Sequence, residues 1–521
     1  MSLGRLSTTR GFTPLVAGNS FIVGQLAWQH RPQFFRSATQ SYGTEQNKKD
    51  ETKHFSPSFD TSAKSETTPS PTSSDLSNQS MPEGWEDNPD FSIKTFSQLP
   101  HRYFGTNQHI RVNEDFKEAL RQILWQFKAP IRYAFAYGSG VFSQSNKPGN
   151  PDAMSPHPHP PQAIKKWQEN GSKIIDFIFG VSYTQHWHSI NLQQHPEHYS
   201  ALRYLGSYPV SKIQDSWGAG VYFNPYITVN GTMIKYGVVN LDTICRDLSE
   251  WDTLYIAGRL QKPVKILRDD PRVRLANQIN LMSAVRTALL MLPERFTERE
   301  LYEKITSLSY MGDPRMSFGS ENTSKVRNIV ANQLPNFRQL YVPLIDTLPN
   351  VHFHDSRVPV EPGWEREDVM AKSADTRNPS EIIGGLDGFK LAQDMSAQRR
   401  GNMVRRLPRL FRQKLYYQYN KKFAMPGSAF DKIIDEARDE DAASFIGRRE
   451  GGDFERRIAM ENDVGEKVET CVRNTIAWPS TSQSVKGIFT AGLTRGWRYW
   501  SEKRRRYAES ARSEKKNDKA A

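Results

Sequence analysis

Residues 134–142 read AFAYGSGVF, and residues 173–181 read KIIDFIFGV. The first stretch predicts an apolar strand that ends in a Gly-Ser turn, and the second predicts an apolar strand with one carboxylate, Asp176. Glycine lets backbone N–H groups approach phosphate oxygens, and the hydroxyl of Ser139 adds a donor. A carboxylate inside an apolar run is costly to bury unless it is paired or bound to a metal ion. Together the two stretches predict a phosphate-binding turn beside a magnesium ligand, in an enzyme that moves a nucleotide.

Composition limits the classes of partner and fold. The 521 residues carry a formal net charge of +13, which favours anionic partners: nucleotides, nucleic acid or acidic lipid headgroups. Cys245 and Cys471 are the two cysteines, so a secreted disulfide scaffold is excluded and a zinc–thiolate site is not indicated. No apolar run approaches the roughly 18 residues that span a bilayer. The length predicts two or three domains.

The N-terminal residues 1–44 have the composition of a mitochondrial transit peptide. They contain four arginines and no acidic residue, and Ser and Thr are frequent. A positive amphipathic segment is attracted to anionic membrane and drawn across a negative-inside potential. The alternative is an ordinary disordered N-terminus. Residues 45–94 are rich in Ser, Thr, Pro, Lys and Asp, and we expect a disordered linker there.

The remaining chain predicts an α+β fold. Residues 95–268 alternate apolar strands and helices, as in a polymerase-β-like nucleotidyltransferase domain, and a proline-rich surface loop at 143–172 interrupts them. Within this domain, residues 222–239 predict a hairpin around an Asn-Gly turn. We expect Asp242 to cap the helix that follows.

Two further regions complete the predicted organisation. Residues 269–350 are mostly helical, with a capping box formed by Thr297 and Glu300, and predict a helical, winged-helix-like domain. Residues 351–521 predict a mostly helical C-terminal region with basic and aromatic membrane-associating segments.

Several blocks of sequence occur in the order of one known family. They are residues 137–142 (YGSGVF), 176–179 (DFIF), 218–225 (GAGVYFNP), 234–238 (IKYGV), 254–264 (LYIAGRLQKPV), 308–316 (LSYMGDPRM) and 482–492 (SQSVKGIFTAG). Residues Trp187, His188, Asn191 and 198–200 also match. The set resembles the mitochondrial translocator assembly and maintenance family, strongly over residues 95–345 and patchily in the tail.

The resemblance implies an activity and a location. Members of this family are magnesium-dependent phosphatidate cytidylyltransferases that make CDP-diacylglycerol from CTP and phosphatidic acid and feed cardiolipin synthesis. They lie peripherally on the matrix side of the mitochondrial inner membrane, so anionic inner-membrane lipids are implied partners and no nucleic acid is expected. The implied fold has a nucleotidyltransferase domain, a winged-helix-like domain and a C-terminal membrane-binding region.

Candidate nucleotide-binding residues are Tyr137, Gly138, Ser139 and Gly140 in the Gly-Ser turn. Asp176 is the candidate catalytic metal ligand for Mg²⁺. The polymerase-β-like superfamily usually places a second acid two residues further along this strand, where the chain has Ile178. The second metal-binding carboxylate is therefore unassigned, and Asp242 and Asp215 are candidates for it. The alternative for Asp242 is that it caps a helix.

Four basic side chains are candidates for binding phosphate. Lys235 lies in the predicted hairpin and could neutralise the β- or γ-phosphate, or it could be a solvated lysine at the sheet edge. Arg259 and Lys262 fall in a turn at the end of the first domain and are candidates for binding the phosphates of CTP or of phosphatidate. Arg315 follows a Gly-Asp-Pro turn and is a further candidate.

The four histidines His186, His188, His195 and His198 do not predict zinc, since Glu197 alone complements their spacing. We interpret His188 as structural or substrate-contacting.

Two basic and aromatic segments predict contact with anionic lipid. One is residues 399–422, where apolar residues recur at helical spacing, and the other contains Trp497, Tyr499 and Trp500 among basic residues. The alternatives are a solvated helix face or contact with RNA.

The sequence therefore predicts transfer of cytidylate from CTP to phosphatidic acid. The alternatives are a nucleic-acid-directed nucleotidyltransferase and a non-enzymatic assembly factor for protein import at the inner membrane. The first alternative would need the second strand acid that the chain lacks.

Overall fold

The computed structural model of the chain describes residues 85–86, 89–112, 114–142, 174–313, 325–353, 388–442 and 450–492. They all belong to one structural unit, Ser70–Ala521. The predicted transit peptide, most of the predicted linker, the proline-rich loop, Arg315 and the basic aromatic tail after residue 492 lie outside the described residues.

Strands and helices are numbered here in chain order. The strands are β1 (Tyr133–Tyr137), β2 (Ile175–Val181), β3 (Val221–Val229), β4 (Thr232–Asn240), β5 (Lys265–Arg268), β6 (Arg295–Thr297), β7 (Val351–Phe353) and β8 (Lys390–Gln393). The helices are α1 (Glu114–Trp125), α2 (Thr184–Gln194), α3 (Ser207–Ser216), α4 (Leu241–Glu250), α5 (Ala257–Leu260), α6 (Pro271–Met291), α7 (Glu298–Leu308), α8 (Lys325–Ile345), α9 (Ala397–Arg405), α10 (Arg409–Phe423), α11 (Gly427–Ala442), α12 (Asp453–Met460) and α13 (Val464–Ala491). The predicted α+β class is confirmed.

Five strands form a mixed sheet in the order β3-β4-β2-β1-β5. Strand β2 runs antiparallel to β1 and parallel to β4. Because side chains alternate between the two faces of a strand, Phe177 and Phe179 of β2 point to one face and Asp176 and Ile178 to the other. Phe177 and Phe179 join a core with α1 and α2, whereas Ile178 joins the larger core that contains α4 and α6.

The predicted hairpin and its Asn-Gly turn are confirmed, since β3 pairs with β4 around residues 230–231. The predicted cap of the next helix is wrong. The N-cap of α4 is Asn240, whose side-chain oxygen accepts a hydrogen bond from the backbone N–H of Asp242 at 2.8 Å. Asn240 therefore satisfies an otherwise unpaired amide of the first turn, which leaves the side chain of Asp242 exposed at the surface.

A second, three-stranded sheet has the order β6-β8-β7, and its strand β6 packs with α7, which in turn packs with α8. The capping box at Thr297 and Glu300 is confirmed at the start of α7. The predicted boundary at residue 350 falls too early, because β7 and β8 lie beyond it and β8 pairs with β6. Strand pairing over such a separation leaves no local sequence signal.

A further correction concerns the basic segment at 399–422. Its arginines Arg405 and Arg412 are buried, and Arg405 donates to Glu455 of α12 at 3.0 Å. Phe411 and Leu415 of α10 lie in the main core. These arginines therefore hold helices together, and their burial rules out the predicted lipid-facing role for that side of the segment.

The last residues of the predicted linker are also packed. Trp85 makes an edge-to-face contact with Phe104, with ring centroids 5.1 Å apart. Glu86 accepts hydrogen bonds from both terminal nitrogens of the buried Arg286 in α6. An ion pair removed from water stabilises the fold only when its hydrogen bonds are well formed, as they are here. The ordered chain thus begins before residue 95.

The C-terminal helix α13 contains 28 residues and joins distant parts of the fold. Gln483 donates to the carbonyl of Val221 in β3 at 3.0 Å, and Lys486 donates to the carbonyl of Gln214 at 3.3 Å and to that of Trp217. Within the described stretches, no helix has both the length and the apolar character required to cross a membrane.

Gly237 of β4 provides a test of the packing on the sheet face that carries Asp176. A Cβ at this position would lie 2.6 Å from the ring of Phe223 and 2.9 Å from Ile178. We expect Gly237→Ala to lower the free energy of unfolding by about 1–3 kcal/mol through overpacking, measured by urea denaturation.

Gly487→Ala in α13 is the matched control, because a Cβ there meets no neighbouring atom. It should stabilise the protein by about 0.5–1 kcal/mol through its helix propensity. Equal effects of the two substitutions would contradict the packing argument.

The buried ammonium group of Lys486 makes the stability depend on pH. Burial lowers the pKa of Lys486 to about 7, whereas an unfolded lysine has a pKa of about 10.4. The unfolded chain binds more protons between these values, so the free energy of unfolding should rise as pH rises from about 7 towards about 10.4.

Comparing urea denaturation at pH 7 and pH 9 isolates this contribution. From pH 7 to pH 9, the free energy of unfolding of the wild-type chain should rise by about 2 kcal/mol more than that of Lys486→Met. The variant also leaves two backbone carbonyls without their donor, but this loss does not depend on pH. Parallel pH dependences of the two proteins would contradict the assignment.

Candidate functional site

Three polar side chains lie in a row across neighbouring strands. In the sheet register, Tyr137 of β1 is opposite Asp176 of β2, and Asp176 is opposite Lys235 of β4. Residues paired in this way project from the same face, about 4.8 Å apart from strand to strand. The sheet therefore brings together a phenol, a carboxylate and an ammonium group that are 39 and 59 residues apart in sequence.

The Gly-Ser turn follows Tyr137 directly. Gly138 has a φ of 81°, in the left-handed region that favours glycine, and its carbonyl accepts hydrogen bonds from the amides of Val141 and Phe142 at 3.0 Å. A Cβ on Gly140 would lie 2.6 Å from the carbonyl oxygen of Ile174. Glycine is therefore required at both positions, and Ser139 lies half-buried between them.

Asp176 and Lys235 form a partly exposed ion pair. The Lys235 Nζ lies 3.7 Å from the Asp176 Oδ1, and 28% of the aspartate side chain is exposed. The same ammonium group lies 4.5 Å from the ring centroid of Phe223, a cation–π contact that fixes its position. Both charges thus face a space that a ligand can enter.

Arg259, in the short helix α5, joins this row. Its guanidinium lies 3.9 Å from the ring centroid of Tyr255, and its Nε donates to the hydroxyl of Tyr137 at 3.3 Å. Burial raises the pKa of Tyr137, and the Arg259 charge opposes that rise. The Tyr137 hydroxyl therefore stays protonated at neutral pH.

Lys262 lies one turn beyond Arg259. Its Nζ donates to the Ser309 hydroxyl at 2.6 Å and to the Gly258 carbonyl, and it lies 5.2 Å from the ring centroid of Tyr310. Burial lowers the pKa of Lys262 well below its usual value, and the nearby cations Arg259 and Lys325 lower it further. The site thus continues from the sheet into a second group of basic side chains.

Asp242 and Asp215 do not lie beside Asp176. Asp242 follows the far end of β4, about 16 Å from Asp176 along the strand, and it pairs with Arg272 at 3.1 Å. Asp215 accepts from Thr184, just after the far end of β2, at 2.6 Å. The prediction that Asp242 is a metal ligand therefore fails on distance, and the same argument excludes Asp215.

Asp176 alone still fits magnesium. Mg²⁺ in nucleotide sites is commonly held by one or two carboxylates together with phosphate oxygens and water. The Oδ2 atom of Asp176 faces Gly138, whose missing side chain leaves room beside the carboxylate. At the position of the usual second acid, Ile178 is fully buried and packs beneath Gly237, so its side chain completes the core.

The histidines lie elsewhere. His188 is buried, and its ring nitrogens contact the Tyr199 hydroxyl and the Gln214 Oε1 at 2.8 Å. Burial lowers the pKa of His188 to about 4, so it is a neutral, structural residue. Among the described residues, His195, Glu197 and His198 form one group whose ligand atoms lie within 4.8 Å of one another. Since His198 contacts the Tyr236 hydroxyl, this group lies on the opposite sheet face from Asp176.

Sequence reasoning missed the aromatic and loop residues around these cations. Phe223, Tyr255, Ser309, Tyr310 and Lys325 all contact or neighbour predicted site residues. Four of them lie within the sequence blocks that match the family, and this position could have identified them as candidates. Lys325 lies outside every block.

A turn of this kind beside a partly exposed aspartate and several cations is typical of proteins that bind nucleotide phosphates. Comparison with known proteins identifies the class further. The sequence model of the family described as "Phosphatidate cytidylyltransferase, mitochondrial" matches residues 120–506.

Relatives that carry the same name extend over most of the chain. One from Schizosaccharomyces pombe is 34% identical over 396 residues, which is 75% of this chain and 84% of the relative. One from Mus musculus is 35% identical over 386 residues, or 74% and 93%. One from Saccharomyces cerevisiae is 44% identical over 254 residues, or 48% and 60%. The chain belongs to the mitochondrial phosphatidate cytidylyltransferase family.

Proposed function

We propose that the protein transfers cytidylate from CTP to phosphatidic acid in a magnesium-dependent reaction that yields CDP-diacylglycerol and pyrophosphate, in support of cardiolipin and phosphatidylglycerol synthesis. The observation that carries this proposal is the row of Tyr137, Asp176 and Lys235 beside the Gly-Ser turn, in a chain of this family. The family relationship supplies the substrates, and the row supplies a place for their reacting phosphates.

Each residue has a role that follows from its charge and position. An oxygen of the acceptor phosphate forms a bond to the α-phosphorus of CTP, and the bond from that phosphorus to the bridging oxygen breaks to release pyrophosphate. The turn at 138–140 offers backbone amides to the triphosphate, and Lys235 and Arg259 balance its charge. Asp176 would hold magnesium, which supplies positive charge at the phosphate oxygens when bound.

No dedicated general base is required in this scheme. A phosphate monoester has a second pKa of about 6, so its oxygen is already largely ionised at neutral pH. The protein's contribution is to position two anions that repel each other and to surround them with positive charge. Among the described residues, Lys235 and Arg259 meet this demand beside Asp176 and Tyr137.

The two sheets support finer fold assignments within this proposal. The five-stranded mixed sheet, with its glycine turn and acidic strand, corresponds to a polymerase-β-like nucleotidyltransferase domain. The second sheet supports a winged-helix-like domain, which combines three helices with a small antiparallel sheet. In this chain the elements follow one another in the order α6, β6, α7, α8, β7, β8.

Peripheral attachment to the matrix side of the inner membrane gives access to a lipid substrate. Helix α13 exposes four large apolar side chains, Trp478, Val485, Ile488 and Phe489, within one arc of about 100°. The basic and aromatic tail follows directly after this helix. An apolar face beside a basic segment is typical of proteins that lie on anionic membranes.

Asp176→Ala tests the proposed reaction. We expect synthase activity to fall by at least a factor of about 100, because positive charge can no longer be held at the reacting phosphates. Activity is measured with labelled CTP, magnesium and phosphatidate, followed by lipid extraction.

Asp242→Ala is the matched control, since it removes the same side chain from an exposed position away from the row. It should retain activity, and both variants should bind anionic vesicles as the wild type does. An Asp176→Ala protein as active as Asp242→Ala would refute the metal assignment.

Deleting residues 493–521 tests the attachment. The deletion removes the basic tail but keeps Gln483 and Lys486, which pack α13 against the sheet. Each basic residue near an anionic surface contributes about 1 kcal/mol, so sedimentation with vesicles containing cardiolipin should fall at least tenfold while CTP binding persists. Phosphatidylcholine vesicles are the control, and undiminished sedimentation of the truncated chain would eliminate the tail as an anchor.

A further inference from the structure

A second group of basic side chains adjoins the row of Tyr137, Asp176 and Lys235. The reaction proposed above gives this group no specific ligand. We call Lys262, Ser309, Tyr310 and Lys325 the Lys262 cluster. The Lys262 Nζ lies 5.2 Å and the Lys325 Nζ 5.1 Å from the ring centroid of Tyr310. One aromatic ring is therefore shared by two ammonium groups that come from different parts of the fold.

The cluster is held together by close backbone packing. A Cβ on Gly258 would lie 2.6 Å from the Cβ of Ser309, so glycine lets the turn of α5 touch the residues that follow α7. The Ser309 hydroxyl then reaches the Lys262 Nζ at 2.6 Å. Lys325 opens α8, which brings its ammonium group to within 5.1 Å of the ring centroid of Tyr310. The cluster thus forms where the first sheet meets the helices of the second.

Such convergence of basic side chains favours the binding of an anion. Two cations that approach each other in a partly buried pocket repel, and the repulsion grows as water is excluded. Burial is the main cause of the lowered pKa of Lys262, and repulsion from Arg259 and Lys325 lowers it further. A bound anion would reduce this repulsion, and the two ammonium groups are suitable donors to phosphate oxygens.

The two reacting anions need separate sets of cations. In an in-line displacement, the attacking and leaving oxygens lie on opposite sides of the phosphorus. The triphosphate already has the Gly-Ser turn, Lys235 and Arg259. Arg259 donates a hydrogen bond to Tyr137 of the row. It also lies three residues before Lys262 in the sequence. The Lys262 cluster therefore continues the row beyond the groups that the triphosphate occupies.

We propose that the Lys262 cluster is the subsite that binds the phosphate monoester of the acceptor lipid. This inference rests on the proposed function and assigns the acceptor to one part of the site. Lys262 and Lys325 balance the charge of the monoester, and Arg259 marks the border with the nucleotide. The Ser309 hydroxyl accepts from Lys262 and donates to the Thr306 carbonyl, so it holds the Lys262 ammonium group in place. Tyr310 and Met311 are half-buried against the core beside these groups and provide apolar contact for the glycerol end of a lipid.

Lys325→Gln is the primary test, because Lys325 is partly exposed at the start of its helix and its replacement should leave the fold intact. The full chain is assayed with dioctanoyl phosphatidate, which is water-soluble and makes the assay independent of membrane attachment. The KM for dioctanoyl phosphatidate should rise about tenfold, while the Kd for CTP should stay within about twofold of the wild-type value. Lys262→Gln should act in the same direction. Lys432→Gln, which changes an exposed lysine of α11, is the matched control and should leave both constants unchanged.

Two outcomes would overturn the proposal. A rise in the Kd for CTP that equals the rise in the KM for phosphatidate would assign the cluster to the nucleotide. Unchanged constants in both Lys325→Gln and Lys262→Gln would show that the cluster binds neither substrate.

A binding measurement separates this proposal from the proposed function. Calorimetric titration with dioctanoyl phosphatidate, without CTP, should give binding that Lys325→Gln weakens about tenfold, even if the wild-type chain forms no labelled lipid. A parallel titration with inorganic phosphate distinguishes a lipid acceptor from a free anion. Equal affinity for the two ligands would contradict the lipid assignment, whereas tighter binding of phosphatidate would support it.

Discussion

The parallel pairing of β2 with β4 is the constraint on which the site depends. This pairing sets Asp176 opposite Lys235, and the antiparallel pairing with β1 sets Asp176 opposite Tyr137. A slip of one residue would turn Asp176 towards the opposite core and bring an apolar side chain into its place. Phe177 and Phe179 prevent such a slip, because their rings fill the core under α1 and α2. The carboxylate is therefore positioned by the apolar side chains that alternate with it.

The basic side chains around Asp176 are held in place by contacts with aromatic rings. Lys235 is held by the ring of Phe223, Arg259 by that of Tyr255, and Lys262 by that of Tyr310. Aromatic faces attract cations without neutralising them. Lys235 also pairs with Asp176, and the contact with the Phe223 ring restrains it without adding a second acidic group that would compete with a phosphate. The aromatic contacts thus keep basic groups ordered and still able to bind an anion.

Local signals predicted much of this arrangement, and long-range contacts explain what they missed. The apolar strands, the Asn-Gly hairpin and the capping box each depend on neighbouring residues, and each is present. The Gly-Ser turn and Asp176 were predictable because glycine geometry and a carboxylate in an apolar run are themselves informative. The burial of Arg405 was not, since a basic amphipathic helix has the same pattern whether it faces lipid or a glutamate 50 residues away. Asp242 failed as a metal ligand because sequence proximity to β4 does not reveal which end of the strand faces Asp176.

Helix α13 links the five-stranded sheet to the surface that we propose contacts lipid. One side of the helix is fixed to the fold, because Gln483 and Lys486 donate to backbone carbonyls near β3 and α3. The other side exposes Ile488 and Phe489. Side chains on opposite sides of one helix cannot move independently over large distances, since a helix behaves as a rigid rod over a few turns. Attachment of the apolar face to a membrane would therefore also fix the orientation of β3, and through the sheet register that of Asp176, relative to the bilayer.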